Sequence, residues 1–287
     1  MSIASDIKDF FKKGDSLTRL LLINGGVFVA LQVLWLLAGW MKKPWEKQFG
    51  SDLFLGSTSS PDLLLERPWS ILTHLFTQLE FGHFFFNMIM LYASGRLFQH
   101  IIGSGRLTTV YLLGGFSGFF LYFLFYNLFP AFDHHSMIVG ASSSILAIFI
   151  AVAMVEPERK VSLYSVFVIR LKWLAVLFVL LDLWSLRKGE NTGGHIGHLG
   201  GALFGLIYGR SFANGKPLGE WVSKLFTKRS KLKVTRSNPR MKTDDEYNTE
   251  RVLRQKKVDE ILDKISRNGY DNLTKEEKDF LFKNSQK

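Results

Sequence analysis

Apolar residues run in long blocks along this chain rather than alternating, and six blocks approach one common length: 17–40, 83–102, 107–129, 139–155, 172–187 and 195–213. A bilayer core about 30 Å thick takes roughly 20 such residues in a helix. The pattern therefore predicts an all-α polytopic membrane protein, a bundle of six transmembrane helices; the fourth and fifth blocks are short and need extension at their ends. A few polar residues interrupt the apolar helices, and they fall near the starts of alternate blocks. His83 and Asn87 open the second, Ser142 opens the fourth, and His198 lies about one turn into the sixth. A polar side chain left unpaired in lipid costs several kcal/mol, so each is a candidate functional residue. Interhelical hydrogen bonding is the plainer reading of any one of them.

The polar regions divide the chain into a 1–16 N-terminal arm, a 17–213 membrane domain with an outer amphipathic loop at 41–82, a 214–245 basic linker and a 246–287 helical tail. Basic residues near helix ends favour the cytoplasmic side. They cluster in the arm (Lys8, Lys12, Lys13, Arg19), in the 2-3 connection (Arg96, Arg106), in the 4-5 connection (Arg159, Lys160, Arg170, Lys172) and after residue 213. The 3-4 connection from Asn127 to Met137 has none. Both termini are expected in the cytoplasm, with blocks 2, 4 and 6 running from outside to inside. Lys42, Lys43, Lys47 and Arg67 fall on the wrong side, in a loop long enough to be a weak signal. Under this topology Ser142, His198, His83 and Asn87 gather at one depth below the outer face.

Small residues support the meeting of blocks four and six. Gly197, Gly200, Gly201, Gly205 and Gly209 in one, and Gly140, Ala141, Ser144, Ala147 and Ala151 in the other, recur at about four-residue spacing and cut a groove along each helix. A serine and a histidine at matching depth on two packed faces is a more specific pattern than small-residue packing alone.

These residues, in this order, resemble the rhomboid intramembrane serine proteases. The similarity covers roughly 67–210 and includes Pro68-Trp69 and Thr73, the run from His83 to Asn87, Gly103-Ser104, Gly114-Gly115 with Gly118, Gly140-Ala141-Ser142, and His198-Leu199-Gly200-Gly201 followed by Gly205. The resemblance implies a six-helix rhomboid-like bundle. Ser142 would be its nucleophile and His198 its general base, with His83, Asn87 and the backbone N–H of Ser142 forming the oxyanion hole. Elementary chemistry agrees: a serine hydroxyl needs a base to take its proton, and donors aimed at the developing oxyanion contribute about 3 kcal/mol each in a site shielded from water. His83 and Asn87, four apart, share one helix face.

Several positions depart from the family pattern. Ser143 stands where glycine is frequent, and Ser144 follows, so three serines compete; Ser142 is preferred for its place after Gly140-Ala141. Leu146 stands where the family often has an aromatic residue packed on the catalytic imidazole, Ser70 replaces a loop arginine, and Gln78 a loop histidine. No carboxylate is expected to orient His198. Asp182, the one acid well inside a late block, is read as a structural or interfacial residue, and the site as a dyad. These departures keep a second reading open, a proteolytically inactive rhomboid-like protein that binds membrane helices.

The remaining features change the picture little. A metal site from His195 with His83 or the pair His134 and His135 lacks a placed carboxylate and any HExxH helix, so no metal and no cofactor is expected. His74 is expected to pack within the loop and His100 at the inner interface. Composition adds a net charge of +11 and excludes thiolate and disulfide chemistry, since there is no cysteine. Membrane tethering argues against nucleic acid as the partner of the basic linker, which is expected near anionic lipids. In the tail, Val258, Ile261, Leu262 and Ile265 have helical spacing, Asn268-Gly269 is a stop, and Thr274 with Glu277 makes a capping box, which predicts two short helices that dock a cytoplasmic partner or regulate the enzyme. The expected substrates are single-pass or other membrane proteins. The arm lacks an apolar run and a cleavage site, and with the two cytoplasmic termini this suggests a bacterial plasma membrane.

Overall fold

The structure, a computed structural model, describes residues 14–41, 54–132, 136–163, 167–189, 191–216, 218–222 and 244–285. The expectations placed on Lys42, Lys43, Lys47, His134 and His135, on most of the N-terminal arm and on the core of the basic linker lie outside the described residues. The chain divides into two units, Met1–Arg229 and Ser230–Lys287.

The first unit is mostly helical. Its long helices are α1 (Ser16–Trp40), α4 (Phe81–Ile101), α5 (Leu107–Leu128), α6 (Ser142–Val155), α7 (Leu171–Lys188) and α8 (Thr192–Ala213). Two short helices, α2 (Pro61–Glu66) and α3 (Ser70–Thr73), lie in the connection before α4. Among the described residues, Ser16–Trp40 and Ser104–Leu128 are long and apolar enough to cross a bilayer by length and composition, whereas Ser142–Val155 is apolar but shorter.

At 14 residues, α6 measures about 21 Å, less than the bilayer core it would have to cross. It is the centre of the unit, packed by α4, α5, α7 and α8. An apolar helix buried on nearly every side belongs to a core, and Ser143 to Ile145 and Ala147 to Ala153 are all buried. The helix begins three residues later than the apolar block because Gly140 has φ +122°, a conformation that only glycine adopts without strain. Short pairing holds this turn in place. Ser57–Thr58 (β1) and Met137–Ile138 (β2) run antiparallel, with Ser57 opposite Ile138, and the Gly140 N–H donates to the His74 carbonyl at 2.9 Å.

The groove read from the small residues is where α6 and α8 meet. Any side chain at Gly201 or Gly205 would run into the carbonyl of Ser143 or Ala147, and a methyl at Gly209 would stand 2.6 Å from the Ala151 carbonyl oxygen. The two backbones therefore touch along three turns, which fixes their register. At the other end of α6, Lys160–Leu163 (β3) and Phe167–Arg170 (β4) form a hairpin. There Glu158 is paired with Lys172 and, at 3.0 Å, with Arg170.

In the second unit, α9 (Asp244–Asn268) and α10 (Lys275–Ser285) flank a turn at Gly269, φ +78°. The first of the two expected short helices is in fact 25 residues long, because no breaker interrupts the chain between Asp244 and Asn268. Thr274 and Glu277 exchange N–H bonds at 2.8 and 3.3 Å, the expected capping box. The Lys264 ammonium also donates to the Glu277 carboxylate at 2.8 Å and holds that carboxyl below the usual range.

Candidate active site

Four helix ends bring the polar residues together. Ser142 is the first residue of α6, so its backbone N–H has no partner within the helix. His198 lies six residues after the first residue of α8, and Asn87 six after the first of α4. Asp182 lies six before the last residue of α7. At 1.5 Å per residue each is roughly 9 Å along its helix, and the tight α7–α8 connection through Gly189 and Asn191, both left-handed, sets Asp182 and His198 side by side.

The Ser142 Oγ is 2.7 Å from His198 Nε2. Neighbouring serines point elsewhere: Ser143 is 4% exposed and wedged against Gly118, and Ser144 is fully buried beside Gly115. Among the described residues Ser142 alone has its hydroxyl on the imidazole. The other ring nitrogen also has a partner, since His198 Nδ1 is 2.7 Å from Asp182 Oδ1. The expectation that no carboxylate reaches this ring is therefore corrected. His195 Nδ1 lies 2.7 Å from the same oxygen, being one turn before His198 on the same helix face.

His83 and Asn87 border the serine from α4. A methyl group placed on Gly140 would stand 3.4 Å from His83 Cε1 and 3.8 Å from the Ser142 Oγ, so imidazole and hydroxyl flank one point. Asn87 shares with Ser142, His198 and Asp182 a mostly apolar cavity, lined also by Phe86, Met90, Leu146 and Phe178. A buried network fixes the Asn87 amide. Its Nδ2 donates to Gln78 Oε1 at 2.8 Å, Gln78 Nε2 donates to Asn24 Oδ1 at 3.1 Å, Asn24 Nδ2 donates to the Tyr111 hydroxyl at 3.1 Å, and that hydroxyl donates to the Leu75 carbonyl at 2.8 Å. One Nδ2 hydrogen of Asn87 is thereby held and the other is left to aim. Replacing the family's loop histidine by Gln78 thus builds an amide chain from α1 to α4. His74 is buried, as expected, against the Ser70 carbonyl, 3.0 Å from its Nδ1.

Asn24 and Tyr111 were not picked out by reading the sequence, and Asp182, His195 and Gln78 were read there without their place beside the serine, the imidazole and the Asn87 amide. Counting inward from helix ends would have found Asp182, since it sits as far from the end of α7 as His198 does from the start of α8. Asp182, His195 and His198 also offer ligand atoms within 4.8 Å of one another, so they are the described residues best placed to hold a cation.

A serine on an imidazole on a carboxylate, set between apolar helices, is an arrangement that can pass a proton from the hydroxyl to the ring. The rhomboid-domain family profile matches residues 65–214, more than half of the chain. The protein belongs to the rhomboid family, whose members are integral membrane proteins. Residues 242–287 match a family of unknown function (DUF6576). The chain is also similar to the presenilin-associated rhomboid-like protein A, mitochondrial, of Danio rerio, with 30% identity over 135 residues, 46% of this chain and 34% of that one. It thus spans about a third of that relative's length.

Proposed function

We propose that this protein is an intramembrane serine endopeptidase that cuts membrane-protein substrates by acyl transfer to Ser142. The observation that carries the reading is the 2.7 Å contact between the Ser142 hydroxyl and His198 Nε2 across two helices. Proton transfer to the ring frees the serine oxygen to attack the scissile carbonyl. His83, Asn87 and the Ser142 N–H supply donors for the oxyanion, and His198 then protonates the leaving amine. A cavity open between α4 and α7 gives an extended peptide a route to the serine, and water reaches the acyl-enzyme by the same route. The close serine–imidazole contact favours this over the inactive helix binder.

In this reading all six long helices cross the bilayer and the site lies near its outer face. The distribution of basic residues supports that orientation, because Arg106 before α5 and Arg159, Arg170 and Lys172 between α6 and α7 lie at the helix ends away from Ser142 and outnumber Arg187 and Lys188 at the site end of α7. Both termini are then cytoplasmic, and a bacterial plasma membrane suits the arrangement.

The test is cleavage of a single-pass substrate co-reconstituted in liposomes. Ser142→Ala is expected to remove all product while Ser143→Ala retains it. Product from Ser142→Ala would refute the assignment.

A further inference from the structure

The carboxylate behind His198 is the feature with most left to explain, since an acid placed at this depth is costly unless every lone pair has a use. Asp182 is 7% exposed, and one of its oxygens receives two imidazole nitrogens at 2.7 Å, from His195 and His198. Nothing else polar competes for His198 Nδ1 among the described residues. The cavity that His198 lines is walled, apart from Asn87, Ser142 and Asp182, by apolar side chains such as Leu146, Phe178 and Leu181, which offer no strong hydrogen-bonding atom.

We propose that Asp182 is a positioning residue that makes the site a three-membered relay, with His195 as the second donor that fixes the carboxylate. This inference rests on the protease reading and deepens it. For His198 Nε2 to accept the serine proton, the neutral ring must carry its own proton on Nδ1. The Asp182 oxygen selects that tautomer by accepting the Nδ1–H, and it holds the ring plane toward Ser142. When the Ser142 O–H bond breaks, the proton moves to Nε2 and the oxygen bonds to the carbonyl carbon. The resulting imidazolium remains paired with a carboxylate that stays ionised throughout. Nε2 then returns the proton to the amine nitrogen as the C–N bond breaks; in the second half water gives a proton to Nε2 as its oxygen bonds to the acyl carbon, and Nε2 passes that proton to the Ser142 oxygen as the C–Oγ bond breaks.

His195 makes the arrangement rigid. Its N–H comes from one turn earlier on α8, so the carboxylate is gripped by two points of one helix and cannot swing off His198 without losing both. The same three groups could instead hold a cation. A cation on Nδ1 would leave the ring proton on Nε2, a donor to Ser142 unable to take its proton, so a metal here would silence the relay or indicate other chemistry.

The experiment uses the full chain in liposomes with a single-pass substrate, Ser142→Ala serving as the blank. Asp182→Asn is expected to lower kcat by roughly 10³- to 10⁴-fold, with KM unchanged and the thermal unfolding midpoint held. Asp182→Glu should recover at least part of that loss, and His195→Ala should cost roughly tenfold in kcat. Addition of EDTA should leave the wild-type rate unaltered. The inference is overturned if Asp182→Asn stays within a few-fold of wild type, if its loss tracks a fallen unfolding midpoint or a raised KM, if Asp182→Glu recovers nothing, or if EDTA changes the rate. Wild type no faster than the Ser142→Ala blank would instead overturn the protease reading itself.

Discussion

Substitution of His198 by alanine is expected to lower kcat for a reconstituted membrane substrate by about 10⁶-fold, to the background of the assay. The effect is large because the serine proton has nowhere else to go. Of the other imidazoles nearby, His195 has its Nδ1 on Asp182, and His83 belongs to the face where the oxyanion would form. The protein itself should persist at normal level, since His198 sits on the cavity wall and the α6–α8 contact is carried by Gly201, Gly205 and Gly209. Quantitative detection of the cleaved fragment checks this. Cleavage retained within a hundredfold of wild type would mean that another group is the base.

The second large effect is an absence of further loss. Ser142→Ala alone is expected to match His198→Ala, and the double variant should be no slower than either, because nucleophile and base act as one unit and their contributions do not add. Independent roles would give a double variant slower than both. The measurement is the same fragment assay carried out on all three variants, with expression level as control.

Much of the helical order was legible because lipid-length apolar blocks are the strongest pattern a chain can carry. Blocks 83–102 and 107–129 correspond to Phe81–Ile101 and Leu107–Leu128. Boundaries failed where backbone geometry overrode hydropathy. The fourth block reads as starting at 139, but Gly140 turns the chain and the helix starts at Ser142. The sixth reads as starting at 195, whereas α8 begins at Thr192, because Gly193 and Gly194 lower hydropathy without breaking the helix.

At the site, the serine and the histidine stood out as lone polar residues on packed faces. Asp182 did not, because hydropathy says how deep a residue lies and nothing of the direction in which a carboxylate points. That direction comes from the tight α7–α8 connection. The amide chain through Gln78, Asn24 and Tyr111 was hidden for a related reason: its members are 87 residues apart at the extreme, and only the folded helices make them neighbours. Leu146 was read as a loss of support for His198. The structure shows where support comes from instead, at the opposite ring nitrogen.

Peptide mapping by mass spectrometry after fluorophosphonate treatment of the detergent-solubilised protein reads the activated hydroxyl directly. The adduct is expected on Ser142, and it should vanish in His198→Ala. An adduct on Ser143 or Ser144, or no adduct in a preparation that still cuts its substrate, would contradict a serine at 142 activated by the imidazole at 198.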